Sequence, residues 1–255
     1  MAKKYLYNYQ TIVTLGAPVS THSVMLRCRP CENNFQTVDE HYLVCSPIFR
    51  LRKGVDAFGN SILYGGTREE HSLLAYVSTG IVSCGAYRLH EDHVEPYYRL
   101  PSALTIPTDE MMALEVPKEG SVEDRAGWIC HQVHSMLHYQ TGVTDITTTA
   151  SDVFALRQGV CQDYAHLMIS LCRANGIVAR YVNGLMEGIG ATHAWVEVYD
   201  GEDWIAFDPT HDRKAEYGYL KIAHGRDASD CPVSRGTFLG CASQETYVSV
   251  TVKEI

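Results

Sequence analysis

Residues 158–177 read QGVCQDYAHLMISLCRANGI, a helix that begins on a cysteine. Gly159 interrupts the chain just before Cys161. After it, Tyr164, Leu167, Met168, Leu171 and Cys172 recur at the i, i+3, i+4, i+7 and i+8 spacing of an amphipathic helix. Asn175-Gly176 ends that pattern, with Arg173 in the last turn. Cys161 therefore stands at a helix N-terminus. The positive end of the helix dipole favours a thiolate there. The unpaired N–H groups of the first turn, that of Cys161 above all, are suited to receive an oxyanion.

Downstream, residues 191–212 read ATHAWVEVYDGEDWIAFDPTHD. Ala194, Val196 and Val198 alternate with His193, Trp195, Glu197 and Tyr199, the pattern of a strand. Asp200-Gly201 signals a hairpin, and Trp204 to Asp208 forms the return strand with Ile205 and Phe207 on its apolar face. A two-residue loop makes His193 and Asp208 direct cross-strand neighbours, with Cβ atoms about 5 Å apart. A four-residue loop shifts the partner by two positions and keeps both side chains on one face. A three-residue loop puts them on opposite faces. The matching apolar faces favour the first two cases. A thiol at a helix start with a histidine and an aspartate on a neighbouring hairpin makes a nucleophile, a base and a group that orients the base.

These residues carry a resemblance. The run GVCQDYAHLMISLCRANGIVARYVNG (159–184), then THAWVEVY (192–199) and WIAFDPTHDR (204–213), is similar to the transglutaminase-like cysteine enzymes, especially their bacterial branch. DAFGNSILYGG (56–66) and HSLLAYVSTGIV (71–82) resemble the N-terminal domain that accompanies this core in bacteria, and GRDASDCPVSRGTFLG (225–240) resembles its C-terminal segment. The resemblance implies a Cys161–His193–Asp208 triad. Members of the family cross-link proteins, transfer acyl groups, or act as proteases or amidases, and some have lost activity.

Other candidates carry less. Cys172 lies on the apolar side of its helix and reads as a small buried hydrophobe. His166, one turn and a residue past Cys161, reads as a packed or hydrogen-bonded side chain, and Asp163 as a complement to the helix terminus. Trp195 and Trp204 read as core or cleft-wall residues. His211 has no evident partner in the sequence. Cys28-Arg29-Pro30-Cys31 supplies two thiols where a structural zinc needs four ligands, so it reads as a turn. His131, His134 and His138 fall on one stripe of an expected helix and read as a solvated face.

Composition sets the class. With 45% hydrophobic residues in 255, the chain can build a substantial core. A net charge of −9 without a basic run argues against a nucleic-acid partner. No apolar segment reaches the length of a membrane span, and the N-terminal MAKKYLYNYQ lacks the apolar stretch of a leader. Nine cysteines without small-scaffold spacing suit reduced thiols in the cytoplasm.

Before residue 105 the chain consists of short alternating runs, at Tyr5–Thr14, Ser23–Cys28, Tyr42–Phe49, Ser61–Leu63 and Ser72–Ser83. Turn signals part them, including Gly16-Ala17-Pro18. After a proline-punctuated stretch, a helix is expected over Val122–Gln140, opened by Ser121 and Asp124. A shorter helix capped by Ser151 follows. The expectation is an α+β protein, with an N-terminal β-sandwich over 1–105 and a papain-like, transglutaminase-like core of helices on an antiparallel sheet over 106–255. Its expected activity is cysteine-dependent hydrolysis of a peptide, protein or small amide at Cys161, His193 and Asp208, with no metal or organic cofactor. Transamidation by the same triad is the alternative, and a non-catalytic interaction protein the third. A homodimer is compatible with the sandwich.

Overall fold

The computed structural model describes residues 2–91 and 94–255. Strand β1 (Lys3–Leu26) organises the N-terminal half. Tyr5, Tyr7 and Tyr9 are fully buried while Lys4 and Leu6 face outward, the alternation that makes a half-buried strand. Then come β2 (Gln36–Ser46), β3 (Arg50–Val55), β4 (Ser61–Thr67) and β5 (His71–Cys84). The first half of β1 pairs with β5, and β5 with β2. The second half of β1 pairs with β4, and β4 with β3.

The expected turn at Gly16-Ala17-Pro18 is not a reversal. β1 runs through it, the register with β5 shifting between Thr14 and Val19 as the strand passes from one set of partners to the other. The Gly16 N–H donates to the Ser243 carbonyl at 2.9 Å. A turn-rich tripeptide here serves as a bend between sheets because strand neighbours satisfy its backbone on the way.

The chain then enters the α+β core through β6 (Arg88–His90), a 3₁₀ turn at Pro96–Arg99, and helices α1 (Asp109–Met112) and α2 (Val122–Met136). Ser121 and Asp124 form a reciprocal capping box on α2. That helix stops at Met136, short of the expected Gln140, because His138–Tyr139 forms a strand, β7, parallel to β8 (Gln158–Gly159). Helix α3 (Ala150–Leu156) is capped by Thr149 with Asp152, not by Ser151, whose hydroxyl donates to the Ile106 carbonyl. Helix α4 (Cys161–Ala174) starts on the cysteine, as its pattern predicts, and ends where Gly176 takes a positive φ.

β9 (Ala179–Met186), β10 (Gly188–Gly190), β11 (His193–Tyr199), β12 (Asp203–Asp208), β13 (Arg213–Lys214) and β14 (Tyr219–Gly225) follow. All but β10 form an antiparallel sheet in the order β13-β12-β11-β9-β14, with β6 also on β12. Ala194, Val196, Val198, Ile205 and Phe207 share the core of α2 and α4. On the other face Trp195 and Trp204 pack with Phe35, Tyr87, Leu89 and Tyr98 from the N-terminal half. Both tryptophans are thus core residues.

The last two strands, β15 (Ser234–Leu239) and β16 (Gln244–Glu254), return to β1, and β10 pairs with β16. A single cut at residue 105 therefore parts strands that pair with one another. Sequence order gives no sign that the end of the chain sits beside its beginning. Among the described residues no helix is long and apolar enough to cross a membrane.

Candidate active site

Three elements bring the expected residues together. Cys161 is the first residue of α4, after Val160 as N-cap. Asp163 folds back to fix that terminus, its Oδ2 accepting from the Val160 N–H at 2.7 Å and from the Thr144 hydroxyl at 2.7 Å. Gly159 permits this approach, since a Cβ there would stand 2.6 Å from Asp163 Oδ2. Burial raises the Asp163 pKa against those two hydrogen bonds.

The β11–β12 hairpin carries the other two. Val196 pairs with Phe207 and Tyr199 with Trp204, so the loop has four residues. Asp200 closes it, Oδ1 accepting from the N–H groups of Glu202 and Asp203. His193 and Asp208 are therefore offset by two positions and still share a face. His193 Nε2 donates to Asp208 Oδ2 at 2.8 Å. That leaves Nδ1 for Cys161, whose sulfur comes close enough to raise the basicity of the ring. Burial lowers the His193 pKa, but Asp208 and Cys161 outweigh it and raise it to about 9. Burial likewise opposes ionisation of Asp208, and its hydrogen bonds from His193 and His211 overcome this and hold it well below the carboxylate range.

Three side chains join the site that sequence pattern did not place there. His211 Nδ1 donates to Asp208 Oδ2 at 2.7 Å, and the Tyr219 hydroxyl donates to the same oxygen at 2.7 Å. Tyr139 reaches the cleft beside Cys161 through the β7–β8 bridge, opposite Gly159 in register. The signal for His211 was its spacing of three from Asp208, which suits an aspartate that also caps the following turn. Tyr219 and Tyr139 depend on tertiary pairing and had no local signal.

The site opens onto a cleft of about 440 Å³ lined by Tyr139, Cys161, His193, His211 and the Met186–Thr192 stretch. Among the described residues, His193, Asp208 and His211 are the one group of three whose ligand atoms converge. Both imidazoles point at a single carboxylate oxygen at hydrogen-bond distance. Three ligands about a tetrahedral zinc would stand about 3.3 Å apart, so the arrangement is that of a hydrogen-bonded cluster.

The remaining candidates lie elsewhere. His166 is buried, its Nε2 accepting from the Ala228 N–H, and burial lowers its pKa to about 4. His131 donates to Asp212 and His134 to the Pro209 carbonyl, while His138 has left the helix. Cys28 is buried, and the Cys31 thiol accepts from Asn33 Nδ2. Further along the His193 face, buried Glu197 takes Lys221 Nζ, the Arg180 guanidinium and the Tyr87 hydroxyl. Arg180 in turn donates to Glu91, and Gln36 bonds the Lys221 backbone, so this cluster ties the sheet to the N-terminal half.

Residues 110–209 match the transglutaminase-like superfamily core, and residues 5–83 match the bacterial transglutaminase-like N-terminal region. The chain thus carries a transglutaminase-like core together with a bacterial transglutaminase-like N-terminal region. Cys161, His193 and Asp208 all fall inside the matched core. An uncharacterised protein of Mycobacterium tuberculosis is 34% identical over 140 residues, a match covering 49% of this chain and 44% of that protein. The chain thus spans less than half the length of that curated relative. An uncharacterised protein of Mycobacterium leprae is 24% identical over 258 residues, covering 90% of this chain and 91% of that protein. Among solved structures, one from Cytophaga hutchinsonii described as a “putative cysteine protease” superposes with a TM-score of 0.83 at 25% identity, covering 100% of this chain and 91% of that one. The transglutaminase-like fold therefore extends over both halves of the molecule.

Proposed function

We propose that this protein is a thiol-dependent acyl-transfer enzyme that hydrolyses amide bonds in peptides, proteins or smaller amides. One observation carries the reading: Asp208 holds His193 by Nε2, which leaves Nδ1 free for a reactant, and Cys161 lines the same open cleft and adds to the basicity of the ring. The likeness to the Cytophaga protein supports it.

Cys161, as thiolate, attacks the carbonyl carbon, and the first-turn N–H groups of α4 receive the oxyanion. Nδ1 of His193 gives its proton to the departing amine as the C–N bond breaks, leaving a thioester on Cys161. A water then loses a proton to Nδ1 while its oxygen attacks the thioester. Cleavage of the C–S bond releases the acid and restores the thiolate–imidazolium pair. Asp208 holds the tautomer and stabilises the imidazolium throughout. Exposed Gly188, Ile189, Gly190 and Ala191 leave the cleft open to water, which favours hydrolysis over amine transfer.

The test is mass detection of products from a peptide-amide library with and without an added primary amine. The free acid should dominate in both cases and vanish with Cys161→Ala. A dominant amine adduct would make the enzyme a transamidase. Turnover that survives in Cys161→Ala would remove the thiol from the chemistry.

A further inference from the structure

The Asp208 carboxylate serves two imidazoles, and hydrolysis as proposed uses only one. Oδ2 accepts from His193 at 2.8 Å, from His211 at 2.7 Å and from the Tyr219 hydroxyl at 2.7 Å. Oδ1 accepts from the backbone N–H groups of Thr210 at 3.0 Å and His211 at 3.3 Å. His211 thus touches both oxygens, through its backbone and its ring. Its ring stands near edge-on to that of His193, with centroids 5.3 Å apart. The His211 side chain is 41% exposed, so its ring fills no core position.

We propose that His211 is a positioning residue that tempers His193 through the carboxylate they share. The proposal rests on Cys161, His193 and Asp208 acting as nucleophile, base and orienter. A buried carboxylate bonded to one imidazole alone holds the imidazolium so firmly that it yields its proton poorly to a leaving amine, and a proton donor works best near the operating pH. Each further donor stabilises the carboxylate's charge and weakens its hold on His193. His211 supplies the exposed, adjustable member of that set. The other groups about the pair are Cys161 from α4, Trp195 beside the His193 ring, Tyr219 from β14 with the Arg213 guanidinium on its oxygen, and Cys130 of α2 near Asp208. Of these only Arg213 carries a fixed charge.

Two variants separate donation from bulk. His211→Phe keeps a ring and removes the donor. His211→Asn places an amide nitrogen on Cγ where Nδ1 was and keeps it. The ionisation of His193 is followed by NMR of its ring protons in the full chain, alongside turnover of an amide substrate against pH. His211→Phe should raise the His193 midpoint by about half a pH unit or more and lower turnover several-fold near neutrality. His211→Asn should hold both near their original values. An unchanged or lowered midpoint in His211→Phe overturns the proposal, as does an equal shift in both variants. If the phenylalanine variant does not fold, His211→Ala replaces it, removing the donor from a half-exposed place. The titration needs no turnover, so its failure is distinct from a failure of Cys161→Ala to abolish activity.

Discussion

At Asp208 one carboxylate makes the site's charge and its geometry the same thing. Replacing it with asparagine keeps the shape and reverses one hydrogen bond, because the amide can donate to His193 and favour the wrong tautomer. Turnover of Asp208→Asn should fall about 10³–10⁴-fold, and the double variant with Cys161→Ala should lose no more than Cys161→Ala alone, since the residues act as a unit. The pair also has a stability signature. His193 has a raised pKa, so its contribution is complete below about 6.5, the free histidine value, and is lost as the pH rises through about 9. Asp208 has a depressed pKa, so its contribution is present above about 3.9 and is lost as the pH falls toward its lower folded value. These are two faces of one ion pair and are counted once. Urea midpoints measured from about pH 6.5 to 9 should therefore drop more for the native chain than for Asp208→Asn, and parallel curves would contradict the pairing. Labelling offers a check on the thiol. Burial drives Cys28, Cys84 and Cys172 up to about 12, so at mildly acidic pH a limiting thiol probe should find Cys161 first, with exposed Cys241 as the comparison.

Among the elements, β9 and β11 hold the histidine in place. His193 pairs with Gly184, where a Cβ would lie 2.3 Å from the Leu220 carbonyl oxygen and 2.4 Å from the Trp195 ring. Gly184→Ala must push β14 or Trp195 aside. It should cost about 1–3 kcal/mol by overpacking, read as a lower unfolding midpoint, and should slow turnover because Trp195 adjoins His193. A variant as stable and active as the native chain would show that the strands yield freely. These elements also mark how far the sequence could be read. α4 was legible because its 3.6-residue pattern, its stop and its cysteine are local. The hairpin was legible in parity, since matching faces hold for either even loop, but not in register, which the Asp200 hydrogen bonds to Glu202 and Asp203 decide. β7 was not legible, because a two-residue strand exists only through its partner β8.

Over the whole molecule, the halves are interwoven. β16 lies between β1 and β10, and β15 also borders β1. A fragment of residues 1–105 keeps β4 and β5 on one edge of β1 but loses β15 and β16 from the other, while Gln36 and Tyr87 lose the buried groups they bond in the core. That fragment should show little cooperative unfolding by circular dichroism and should aggregate through the bared edge of β1. A sharp transition like that of the full chain would mean that β2 to β5 suffice. The sequence showed strands before helices. It could not show the final strands returning, because pairing at that separation leaves no periodic trace.

β10 is three residues long, forms part of the cleft wall, and is anchored to β16. The rim of the cleft is therefore moored to a strand more than fifty residues further along the chain. Whatever pulls on β16 also pulls on the doorway to Cys161.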